Sequence, residues 1–101
     1  MATIHHPDIE TIPLSAVLAA LSDPTRLEIV TKLAQGPCSC AEMDLDASKS
    51  AASHHIKVLR QAGVIHQRAE GTMRITALRR DELDARFPGL LDSVLSANGP
   101  I

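Results

Sequence analysis

Aromatic side chains are almost missing from this chain: Phe87 stands alone, without tryptophan or tyrosine. Proteins that grip single strands of nucleic acid need rings on which bases can stack, so the scarcity argues against that class. Cysteine is nearly as rare, with only Cys38 and Cys40. Their C-x-C spacing is not the C-x-x-C of thiol redox enzymes, and no strand-helix-strand pattern surrounds it. The five glycines fall at turns or termini, which leaves none for a phosphate-cradling loop. No Ser/His/Asp constellation is recommended by spacing either, so the chain reads as a non-enzyme. No apolar run is long enough to cross a bilayer. The opening MATIHHPDIE lacks a basic region followed by an apolar stretch, so it is not read as a signal peptide. The expected location is the cytoplasm, with both thiols reduced.

One further absence is local. Between Ser48 and Ala69 there is no carboxylate. On a 3.6-residue period, Ala52, Ile56 and Leu59 of this stretch share one stripe, with His55 beside it. Ser50, Ser53, His54 and Lys57 fall on the other side. A helix face that is merely solvated mixes Glu with Lys. Small hydroxyls, an imidazole and an ammonium without counter-charge suit a helix that reads duplex DNA, the short side chains reaching base edges and the lysine a phosphate. Ser48, Lys49 and Arg60 belong to the same candidate surface. The net charge of −2 is deceptive here. Seven lysines and arginines from Lys49 to Arg80 stand against Glu70 alone, so the rest of the chain carries −8. An acidic body with one basic segment fits a protein that meets phosphate on a single face.

In chain order, 101 residues allow one domain with one core. Residues 1–10 read as a flexible arm, 11–97 as the folded domain and 98–101 as a loose tail. A first helix from Thr11 takes Pro13 in its opening turn, with Leu14, Val17, Leu18 and Leu21 as its stripe. Asp23 can cap a second helix opened by Pro24, carrying Leu27, Val30, Leu33 and Ala34 and stopped by Gly36-Pro37. A brief third helix is expected from about Ser39 to Leu45. The long fourth, capped by Ser48 or Ser50, ends at Gly63. Short helix, turn and longer polar-faced helix make a helix-turn-helix pattern.

The period then changes to alternation. Val64–Ala69 and Met73–Leu78 read as a hairpin turning at Glu70-Gly71-Thr72, with Met73, Ile75 and Ala77 packing inward. Arg68 and Arg74 near its tip make it a basic wing suited to phosphates or a narrow minor groove. A helical tail follows, capped by Asp81 and reset by Pro88. Its Leu90, Leu91, Val94 and Leu95 exceed what so small a core can cover, so a subunit contact is expected there. The expected fold is mainly helical with a small hairpin, in the order α-α-α-α-β-β-α.

DPTR at the start of the second helix, S-x-H-x-x-x-L-x-x-A-G-x-I from Ser53 to Ile65, and a wing with Glu70-Gly71 at its turn together resemble the ArsR-type winged-helix repressors. The resemblance runs from Ile12 to Leu95. It implies a homodimer built from the first and last helices, with Leu14, Val17, Leu18, Leu90, Leu91, Val94 and Leu95 at the interface. It also implies that Ser50, Ser53, His54 and Lys57 enter the major groove of double-stranded operator DNA, an inverted repeat, and that an inducer releases it. Relatives carry a thiolate metal site in the third-helix region, where Cys38-Ser39-Cys40 falls. Two residues apart on a helix point about 200° apart, so both thiolates could hold one soft or borderline ion only if Cys38 precedes the helix. His5 or His6 from a partner's arm would then complete the set. The alternatives are two inert small hydrophobes, or a thiol switch at Cys40 near a helix N-terminus. No cofactor is required by any of these readings. His55 reads as a hydrogen-bonded packing residue, and His66 is unassigned. Activation of transcription, or a winged helix that binds only another protein, are the competing functions.

Overall fold

Helix boundaries follow the capping residues. The computed structural model describes residues 4–98, Cys40 in its backbone alone. Helix α1 is Leu14–Ala20, with Pro13 as its cap rather than within its first turn. Asp23 accepts from the Arg26 backbone N–H at 3.0 Å and Pro24 opens α2, Pro24–Leu33. Strand β1, Cys38–Ser39, leads into α3, Cys40–Met43, where Ser39 and Glu42 cap each other's backbone N–H. Helix α4 is Lys49–Gln61, capped by the Ser48 hydroxyl. The chain leaves α4 through Gly63 at φ +77°, a left-handed conformation that costs glycine nothing. Strands β2, Ile65–Glu70, and β3, Met73–Leu78, join through Gly71-Thr72. Helices α5, Arg80–Arg86, and α6, Leu90–Asn98, complete the chain. This is a winged helix-turn-helix.

Four features depart from the sequence reading. Strand β1 was not expected, since two residues carry no readable period; it pairs antiparallel with β3 and makes the sheet order β1-β3-β2. The hairpin buries β3 differently from the expected alternation, with Ile75 and Ala77 only half-buried. Met73 is exposed while Thr76 is fully buried, because Thr76 sits on the central strand and its hydroxyl accepts from Gln67 Nε2 at 3.2 Å. Asp81 does not cap the tail. Arg79 occupies that position without a side-chain cap, and the tail is two helices.

The fourth correction concerns the ends. Residues 6–12 are part of the fold rather than a loose arm. His6 Nε2 accepts from the Gln67 backbone N–H at 2.9 Å, and Arg79 Nη1 donates to the Pro7 carbonyl at 2.8 Å. Ile9–Thr11 form a 3-10 turn, and Arg86 donates to the carbonyls of Ile9 and Ile12. Ile9 and Ile12 are buried in the common core with Val17, Ile29, Val30, Leu59, Val64 and Leu83. At the other end Asn98 closes α6, its amide donating to Thr31 Oγ1 at 2.9 Å. Residues 1–3 and 99–101 of the two expected tails lie outside the described residues.

Candidate nucleic-acid interface

Helix α4 is positioned from within. Ile56 and Leu59 are buried and Ala52 is half-buried, which fixes the rotation of the helix about its axis. That rotation leaves Ser50, Ser53, His54 and Lys57 exposed together, with Lys49 exposed at the helix start. Among the described residues, the side chains of Ser50, Ser53, Lys49 and Lys57 make no hydrogen bond or ion pair. Among the described residues, the ring of His54 lies beside that of His55, 5.8 Å between centroids. Ser48 is exposed, but its hydroxyl already accepts from the Ala51 N–H at 3.1 Å. His55 is half-buried against Arg26 and Asp23, a bonded packing residue as its place beside the stripe suggests.

The basic segment is less basic in space than in sequence. Arg60 turns inward and donates from Nη1 to Gln67 Oε1 at 2.8 Å, which ties α4 to the base of the hairpin. Arg68 is bonded to Glu70 across the tip of β2. Arg79 is only 9% exposed, bonded to Glu82 and to the Pro7 carbonyl. Arg80 pairs with Asp84 at 3.4 Å and with Asp92. Lys49, Lys57 and Arg74 are therefore the cations of the segment left uncommitted among the described residues, with Arg74 exposed beside the hairpin turn and paired in register with Ala69. The arrangement is a shallow face of hydroxyls and one imidazole on a helix, flanked by a cation on a projecting hairpin. Such groups can donate to and accept from base edges in a major groove and meet phosphates at its rim.

Of the metal candidates, Cys38 and His6 of one chain lie at opposite edges of the sheet. Cys38 lies on β1, before the helix, which satisfies the geometric condition for pairing with Cys40. The side chain of Cys40 lies outside the described residues. His6 is bonded to β2 of its own chain, and β2 and β1 flank β3 on opposite sides. At about 4.8 Å per strand spacing, the width of two steps separates it from Cys38. His5 is exposed. Among the described residues no three His, Cys, Asp or Glu side chains form a metal-sized cluster.

The expected subunit face divides. Val17 and Leu91 are 1% and 3% exposed and are spent in the chain's own core, so they are withdrawn from it. Leu14 and Leu18 are 46% and 47% exposed, and Leu90, Val94 and Leu95 are half-buried against the core. Leu14 and Leu90 line one open groove with Phe87 and Pro88.

Residues 23–67 match the model of a family described as "Bacterial regulatory protein, arsR family". The HTH-type transcriptional regulator Rv2034 of Mycobacterium tuberculosis is 44% identical over 61 residues, 58% of this chain and 57% of that protein. The chain thus spans little more than half of that relative. The arsenical resistance operon repressor of Staphylococcus xylosus is 36% identical over 73 residues, 70% of each chain. Among solved structures, the homodimeric winged helix-turn-helix DNA-binding domain of Mb0332 from Mycobacterium bovis superposes with a TM-score of 0.68 at 26% identity, over 85% of this chain and 81% of that one.

Proposed function

The chain belongs to the arsR family of bacterial regulatory proteins, and from that premise we propose that it is a dimeric repressor of transcription that binds an inverted repeat in double-stranded DNA. The observation that carries the reading is the set of uncommitted, exposed groups on one face of α4: Ser50, Ser53, His54 and Lys57. Water satisfies these groups in the free protein, and with no carboxylate among them the face is open to base edges and phosphates. In this reading α4 lies in the major groove, Arg74 meets the backbone from the hairpin, and Ser53 with His54 tests the bases. Two such helices in a dimer would enter grooves about 34 Å apart. The dimer would be built on Leu14 and Leu18 of α1 with Leu90, Val94 and Leu95 of α6, the solved homodimeric neighbour being support by likeness. Release by an inducer is part of the same proposal, and no step of it is routed through a metal.

Electrophoretic titration on the DNA upstream of its own gene, at several salt concentrations, tests the proposal. Lys57→Ala and Arg74→Ala should weaken binding across sequences and each flatten the salt slope by about one. Ser53→Ala and His54→Ala should change which sequences are preferred. Operator affinity unchanged in all four would overturn the assignment of faces. Tight association that ignores salt would point instead to a protein partner.

A further inference from the structure

Arg26, the last residue of the DPTR motif, belongs to neither surface described above, yet its guanidinium has partners on two sides. Its Nε donates to the Ala20 carbonyl at 2.6 Å and its Nη2 to the Ala19 carbonyl at 3.5 Å, both at the C-terminal end of α1. Helix C-termini leave carbonyls without intrahelical partners and favour a cation. On the other side Nη1 lies 3.1 Å from His55 Nδ1, on the inward side of α4. Arginine has no acceptor, so Nδ1 must offer its lone pair and the imidazole proton sits on Nε2. The other ionisable groups facing this ring are Asp23, with Oδ2 3.9 Å from Nδ1, and His54. Asp23 in turn caps the backbone of Arg26 itself. One rigid fork therefore joins the end of α1 to the middle of α4.

We propose that Arg26 is a positioning residue that sets the orientation of α4 relative to α1, and through it the spacing between the two reading faces of the dimer. The inference rests on the function proposed above, with α4 as the reading helix and α1, through Leu14 and Leu18, as part of the subunit contact. Helices α1 and α4 also touch directly, so the fork governs their relative angle rather than their attachment. Its planarity is what makes the link directional: carbonyls on one edge and an imidazole on another fix the guanidinium plane, whereas a lysine ammonium could reach only one of them. An inverted repeat reads that angle, because both half-sites must be met at once. A single half-site does not.

The test uses duplexes that the wild-type protein selects from a randomised pool, in three forms: the full site, one half-site, and the full site lengthened by half a helical turn. Arg26→Lys and Arg26→Gln should hold half-site affinity within about twofold. On the full site they should lose about tenfold, and the wild-type discrimination against the lengthened site should shrink. His55→Asn, whose amide oxygen can stand where Nδ1 stands, should remain nearer to wild type than His55→Ala. Nitrogen-15 spectra should place the His55 proton on Nε2 in the wild type and show mixed tautomers in Arg26→Gln. Full-site affinity and spacing discrimination unchanged in both Arg26 variants would overturn the proposal. Equal losses on half-site and full site would overturn it too, since Arg26 would then act on the reading face or the fold. If Arg26→Gln does not fold, Arg26→Lys and the His55 pair carry the same comparison. A wild-type protein that selects no duplex at all overturns the reading beneath it, an outcome visible before any variant is made.

Discussion

Arg74 and Arg79 stand five positions apart, carry the same charge and do opposite work. Arg74 is exposed at the hairpin and makes no side-chain bond among the described residues; Arg79 is buried, and Glu82 and the Pro7 carbonyl take its donors. Arg79→Ala should therefore cost about 1–3 kcal/mol in urea unfolding, because hydrogen bonds to a charged group are lost. Arg74→Ala should leave unfolding within about 0.5 kcal/mol of wild type and act on DNA affinity instead. Asp23 gives a residue-scale pH effect. The Arg26 backbone N–H holds its carboxyl below the usual value of 3.8, with the Arg26 charge adding to this. A carboxyl with a lower pKa when folded stabilises the fold fully above that usual value and loses the contribution as pH falls below it. Asp23→Asn keeps a good cap without the charge. The stability gap between wild type and Asp23→Asn should thus narrow on acidification from neutral pH, measured by urea unfolding at each pH.

At the scale of elements, the segment before α1 behaves as a strap across β2 and α5. His6 accepts from the Gln67 N–H, which requires an unprotonated Nε2. Burial lowers the pKa of His6 from 6.5, helped by the charges of His66, Arg79, Arg60 and His5. A histidine with a lowered pKa stabilises the docked form fully above 6.5 and loses that contribution as pH falls through this value toward the folded one. Amide protection factors in residues 6–12, corrected for the intrinsic slowing of exchange in acid, should fall on going from neutral to mildly acidic pH more than in α2. In His6→Phe that extra fall should vanish. The strap also explains Gly63. A Cβ there would meet Ile9 Cδ1 at 3.1 Å and Ile12 Cγ1 at 3.2 Å, on a backbone at φ +77°. Gly63→Ala should destabilise by about 1–3 kcal/mol, read from thermal unfolding.

For the whole molecule, the question is which apolar surface remains once the chain has closed on itself. Leu14 and Leu18 stay exposed on α1, and α6 keeps Leu90, Val94 and Leu95 half-covered. Replacing both α1 leucines with glutamate should leave the fold intact, since neither is in the core. The same change should convert the proposed dimer to monomer in sedimentation and abolish preference for an inverted repeat over a single half-site. Dimers that persist in the double variant would move the interface elsewhere.

Periodicity and capping chemistry were enough to find α2 and α4, because both depend on neighbours three or four residues away. The Asp23 and Ser48 caps, the inward Ile56 and Leu59, and the outward Ser53, His54 and Lys57 were all legible in the linear chain. The winged helix and its family followed from the order of those pieces. Contacts between residues far apart in sequence were not legible. His6 reaches Gln67 across 61 positions, Arg79 reaches Pro7 across 72, and Arg26 reaches His55 across 29. No local pattern encodes such a pairing, because each partner's own neighbourhood is satisfied either way. Only the folded chain, by bringing a donor within reach of an acceptor where water is excluded, decided which charges are consumed inside the protein and which are left to meet a partner.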